Sequence, residues 1–292
     1  MNSKRLLSIF MTLFMLVPFI AFSEEPGEIF EVHFLSVGAN DAILLRAGDE
    51  CAFIDCGNRP QAPICIDYLK NAGVTSLKYY IASHAHLNHV GGATQIIAEF
   101  PTKGLIYAHD MVRHQIEKQA KTDEEAAAFA ALELHPTDYL DTYTLGGATL
   151  TCVGPEFYSH IYRINDISEN KNSLLLHITY GDTGFFLTGD STSEKILQMS
   201  KKHPEVLKSD VIKAPHHRGG FYQSVYDLID AKYLVFSTAD TWLPKEDQMA
   251  MAAKSFDNIL ITADNRNGNI VFRTDGKTLS VETQFDYDYG AE

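Results

Sequence analysis

Three histidines fall within six residues of the stretch YYIASHAHLNHVGGA, residues 79–93. They come directly after an aromatic and aliphatic run and directly before a Gly-Gly pair. Such a run reads as a buried strand, so His84, His86 and His89 leave a sheet at one strand end. Residues two apart in an extended loop point the same way, which lets His84 and His86 converge on one ion. His89, three residues further on, fits the first turn of a following helix. Neutral imidazole offers a lone pair at physiological pH. Three imidazoles at this spacing predict a metal centre, in preference to a loop of solvated histidines with Asn88 as a helix N-cap. A chain built around such a loop must bring other strand ends to meet it.

Those strand ends are present. FFLTGD places Asp190 just past a buried run, where an unpaired carboxylate would be expensive but one bridging two cations would not. VIKAPHHRGG places His216 and His217 past another, with Gly219-Gly220 behind them. Taken singly, Asp190 could cap the helix at 191–200 and the histidine pair could lie on the surface. Three strand ends carrying His and Asp in one chain favour a shared site.

The remainder is strand-rich. FEVHFLSV, DAILLRA and CAFIDCG read as strands, as do LKYYIAS, two segments within 139–153, SLLLHITYG, GFFLTGD, SDVIKAP, AKYLVFS and NILIT. GNIVFRTDGKTLSVET reads as a hairpin around Asp275-Gly276. Helices are expected at ICIDYLKNAG, at GGATQIIAEF closed by Pro101, across 109–134, at STSEKILQMSKK, and at 222–230 and 246–254. With no repeat and no linker, the pattern predicts one α/β domain, an αββα sandwich of two sheets covered by helices.

The first residues read MNSKRLLSIFMTLFMLVPFIAFSEE. A basic start, an apolar run and Ala21-Phe22-Ser23 predict a signal peptide over 1–23, with cleavage after Ser23 and the domain over 24–292. The product would be secreted or extracytoplasmic, with no stable membrane association after cleavage. Cleavage removes Lys4 and Arg5 and no acid, leaving the mature chain two charges more negative than the formal −14 of the whole. Such acidity disfavours nucleic acid as a tightly held partner, because phosphate neutralisation needs a basic face. Four cysteines, Cys51, Cys56, Cys65 and Cys152, are too few for a disulfide scaffold. One bridge such as Cys56–Cys65 and four buried thiols are equally open.

SHAHLNHVGG resembles the HxHxDH signature of the metallo-β-lactamase superfamily. HFLSVGANDAILL, FIDCG, NSLLLHITYG, FFLTGD and IKAPHHRGG resemble, in order, the motifs of the ComEC-type extracellular hydrolase domain. The resemblance runs from about Phe30 to the final hairpin. It implies an αββα fold holding one or two Zn2+ ions, or Mn2+, and often hydrolysis of phosphodiesters. It implies that His84 and His86 hold a first metal, that His89 and either His216 or His217 hold a second, and that Asp190 bridges. It casts Asp55 as the acid supporting the histidine loop, and Asn172 with Ser173 as a polar pair near the site.

Three positions depart from the family pattern. The acid of HxHxDH is Asn88, whose amide oxygen binds a metal weakly and takes no proton from water. The opening acid is Ser36, although Gly38 and Asp41 remain. A late family histidine is replaced by Leu243, next to Pro244. The expectation is therefore a metal-dependent hydrolase of a phosphodiester or another small-molecule ester. The competing expectation, carried by Asn88 and Leu243, is an impaired enzyme serving as a binding module.

Overall fold

The computed structural model describes residues 28–159 and 167–287, so the expected signal peptide lies outside the described residues. Six strands open the chain: β1 (Phe30–Phe34), β2 (Ile43–Ala47), β3 (Glu50–Ile54), β4 (Leu77–Ala82), β5 (Thr102–Tyr107) and β6 (Glu133–Pro136). Seven more follow in a second sheet: β7 (Thr142–Leu145), β8 (Ala148–Gly154), β9 (Leu175–Tyr180), β10 (Thr183–Leu187), β11 (Val211–Lys213), β12 (Tyr233–Phe236) and β13 (Asn258–Ile261). The closing hairpin, β14 (Ile270–Thr274) and β15 (Leu279–Thr283), returns to the first sheet beside β1. The sheet orders are β15-β14-β1-β2-β3-β4-β5-β6 and β13-β12-β11-β10-β9-β8-β7.

The sheets pack face to face through aromatic side chains that alternation along the strands turns inward. Phe30 of β1 and Phe272 of β14 each meet Phe185 of β10 edge-on, and Phe272 also meets Tyr233 of β12. Helices cover the outer faces. Those at Ala62–Asn71 and Ala93–Glu99 lie on the first sheet's side. Those at Ser193–Ser200 and Glu246–Ser255 close a separate apolar cluster against Phe186, Ile212 and Leu234 of the second. This is the αββα sandwich expected.

Several local expectations need correction. Residues 109–134 form two helices, Asp110–Glu117 and Asp123–Ala130, before Glu133 and Leu134 enter β6. Thr122 starts the second by accepting the Glu125 backbone N–H. Strands β5 and β6 were not expected: Gly104 weakens the one, and helix-forming residues at a sheet edge disguise the other. Residues 222–230 contribute only the single turn Gln223–Tyr226. All four cysteines are free and buried, and the Cys65 thiol points at the Cys56 carbonyl rather than at its sulfur.

Candidate metal centre

Strands β3 to β6 run parallel to one another, as do β10 to β13. Parallel strands deliver their carboxyl ends to one edge, the usual place for a site in α/β architecture. Asp55 follows β3, the histidine loop follows β4, Asp190 follows β10, His216 and His217 follow β11, and Ser237 follows β12. A bond from the Leu174 N–H to the Ser83 carbonyl joins the two halves there.

His84, His89 and His217 are buried, and each commits one ring nitrogen to the protein. His89 Nδ1 lies 2.8 Å from Asp55 Oδ2, and His217 Nδ1 lies 3.0 Å from the Ser237 carbonyl. His84 Nδ1 lies 3.0 Å from Ser83 Oγ, whose own proton goes to Asp55 Oδ2 at 2.6 Å. These partners fix the Nδ1–H tautomer and leave Nε2 with its lone pair, the arrangement that orients metal-ligating histidines.

All three Nε2 atoms face Asp190. Its carboxylate lies 3.2 Å from His89 Nε2, 3.5 Å from His217 Nε2 and 3.9 Å from both His84 Nε2 and His216 Nε2. His86 Nδ1 is 3.0 Å from His84 Nε2. Donors held at about 2.0–2.1 Å around a tetrahedral zinc stand about 3.3 Å apart, so these separations suit ligands of a shared ion. Asp190 Oδ1 and His89 Nε2 are buried and neither makes a hydrogen bond. Two buried polar atoms facing each other in that state fit ligands of a shared cation better than a finished hydrogen-bond network.

The electrostatics agree. Burial opposes a charge on Asp190, yet His217 and His89 hold its carboxyl well below the usual carboxylate range. Burial pushes the His84 imidazole well below the ordinary histidine value and lowers His217 as well. His89 is the exception. Burial works against its charge, but Asp190 and Asp55 raise its pKa to about 10. A divalent cation would satisfy the same carboxylates without that proton. The His/Asp cluster suits a divalent metal.

Asn88 does not cap the short helix Leu87–Val90, which starts from His86. Its Nδ2 lies 2.9 Å from His217 Nε2, so the amide occupies a position between His217 and the histidine loop. Nor does Asp190 cap the next helix, since Thr192 does. His216 stays half-exposed while His217 is buried, though both reach Asp190. Asn172 stands one step behind the loop, its amide spent on the Ser159 backbone and Glu169. Leu243 turns into apolar packing with the second cluster.

Two charged residues of the site were not anticipated. Lys213 is fully buried, with Nζ 2.8 Å from Asp41 Oδ2 and bonded to the Gly189 and Ala214 carbonyls. Asp41 in turn lies 3.6 Å from His217 Nδ1. Glu169 is also fully buried; it accepts the Ala85 N–H between His84 and His86 and pairs with His109. A lysine inside the buried run DVIKAP was the available signal, because lysine is almost never fully buried without a partner. Glu169 lies in an irregular polar stretch that offered none.

Backbone strain is concentrated at the same edge. Among the described residues four non-glycines have positive φ, and three are Asp55, His216 and His217. The left-handed region costs an L-residue roughly 1–2 kcal/mol, and such strain persists where the surroundings over-determine it.

Residues 35–157 match the family model described as the metallo-beta-lactamase superfamily. The fold is that of the metallo-β-lactamase superfamily. Among solved structures, the metallo-beta-lactamase fold protein YhfI from Bacillus subtilis aligns over 80% of this chain and 96% of its own, with a TM-score of 0.52 and 15% identity. A diphosphatase from the PhnP family aligns over 79% of this chain and 94% of its own, with a TM-score of 0.50 and 13% identity. No curated protein matches the chain. At such identities the likeness to both structures speaks for the fold alone.

Proposed function

We propose that the protein is an exported metal-dependent hydrolase acting on a phosphodiester or related ester, akin to ComEC-type hydrolase domains. The observation that carries the proposal is the convergence of three histidine Nε2 lone pairs on the buried Asp190 carboxylate. His84 and His86 would hold one Zn2+ or Mn2+ ion, His89 and His217 a second, with Asp190 between them. His216 would face the mouth. Bound there, the ion supplies Lewis acidity and lowers the pKa of a water.

The chain's own residues do the rest. Asp55 and Ser83 hold the His84 and His89 rings in the ligating tautomer. Asn88 orients water or substrate through hydrogen bonds and takes no proton. Export rests on residues 1–23; among the described residues no helix is long and apolar enough to cross a membrane. A second reading, a binding module, rests on Asn88 standing where the family acid would be.

Elemental analysis of the purified protein, beside a panel of phosphodiesters and N-terminal sequencing of the exported product, tests the proposal. Near-stoichiometric metal is expected, lost in His84→Ala/His86→Ala. Equal trace metal in both proteins would sink the metal reading, and metal without turnover would leave the binding module.

A further inference from the structure

Arg218 directly follows the histidine pair in IKAPHHRGG, and the ligand cluster described above makes no use of it. Its guanidinium carbon lies 4.6 Å from the centroid of the Trp242 ring. That ring is itself 5.9 Å from the His217 ring and 6.3 Å from the His216 ring. Such a cation–π contact holds the guanidinium through the ring face and uses none of its N–H donors as hydrogen bonds. Among the described residues, no carboxylate or carbonyl takes them.

Among the described residues, Arg266 likewise lies over an aromatic ring, Tyr287, without an acid partner, but four other arginines are ion-paired. Arg46, Arg59, Arg113 and Arg273 each meet a glutamate. The acids of the loops after β12 and β13 are engaged elsewhere: Asp240 accepts from Asn265, and Asp264 accepts from Ser36. Arg218 is therefore an immobilised cation without a counter-ion, held beside the ligand cluster by an aromatic ring. Trp242 is held in turn, with its backbone N–H bonded to Ala239 and its carbonyl to the Thr238 hydroxyl.

We propose that Arg218, positioned by Trp242, is the anion-binding half of the substrate subsite and selects a tetrahedral phosphoryl group. This rests on the hydrolase reading of the cluster. A phosphoryl group shows its non-bridging oxygens in different directions, so one can face the His84–Asp190–His217 cluster while another meets the guanidinium. A planar carboxylate gripped by the arginine fork turns both oxygens to it and leaves none for the cluster. Phosphate esters are thus favoured over carboxylate-bearing substrates.

Trp242 is the only tryptophan in the chain, so its emission reports on this subsite without any turnover. Zinc-loaded protein is titrated with inorganic phosphate and separately with acetate, by fluorescence and by calorimetry. The expected result is saturable phosphate binding, acetate at least tenfold weaker, and phosphate at least tenfold weaker in Arg218→Gln at unchanged Tm and metal content. In Trp242→Ala, calorimetry should show a similar loss, because the guanidinium is no longer held. Equal phosphate affinity in wild type and Arg218→Gln overturns the inference, since the metal alone would then be the anion site. So does acetate binding as tightly as phosphate, or no phosphate binding by either method. Phosphate binding that depends on Arg218, in a protein that cleaves no ester, would remove the hydrolase reading and leave the subsite standing.

Discussion

The two halves of the candidate metal centre are built differently. The histidine loop after β4 is braced chiefly by side chains close in sequence or at the end of the neighbouring strand, and by one from far along the chain, Glu169. Ser83 supports His84, Asp55 supports both Ser83 and His89, and Glu169 holds the Ala85 N–H. The loop after β11 carries two consecutive left-handed histidines, one of them half-exposed. Its supports are remote: the Ser237 carbonyl of the β12 end, the Asn88 amide, and the Asp41–Lys213 pair beneath. One half is a preorganised cradle. The other is a strained arm whose geometry depends on groups from elsewhere in the fold.

The sharpest way to test that contrast is Asn88→Asp, because Asn88 is where the two halves touch. A carboxylate adds a full charge beside a dication where an amide supplies only a dipole, and it can take a proton from water. A positioned acid–base group is typically worth on the order of 10²–10⁴ in rate. Turnover should rise by about that factor, with added metal bound at the His89–His217 side. Unchanged metal stoichiometry and unchanged turnover would show that the strained arm has left catalysis.

Lys213→Met probes the support beneath the arm. It leaves Asp41 buried without its cation, which costs about 3–5 kcal/mol where one partner of a buried pair is removed. Denaturant midpoints should show that loss, and Lys213→Met/Asp41→Asn should recover most of it. If the single variant is as stable as wild type, the arm does not lean on this pair.

The smallest effect is expected on the cradle side. Glu169→Gln keeps an acceptor for the Ala85 N–H and loses the charge opposite His109, for about 1 kcal/mol. Thermal unfolding should detect it, while metal content stays intact. Loss of metal in this variant would mean that the cradle is as dependent on remote groups as the arm.

The cradle was legible in the sequence because its information is local. His84, His86 and His89 are placed by strand alternation and one helical turn, and Asp55 ends the neighbouring strand. Asp190 could be read as a strand-end acid. Which nitrogen faces the centre could not, since the tautomers of His89 and His217 are set by partners at the ends of other strands, Asp55 and Ser237.

The sequence by itself determined the layered fold, through alternating apolar runs that must bury one face, and the residue types of the His/Asp cluster. Only the tertiary structure decided that His217 is buried while His216 stays half-exposed, that Asn88 meets His217, and that Lys213 neutralises Asp41. It also set Arg218 against Trp242 without a counter-ion. The physical reason is distance along the chain. The pairs that fix burial and charge at this edge join residues far apart in sequence, and no local periodicity records which strand end will face which.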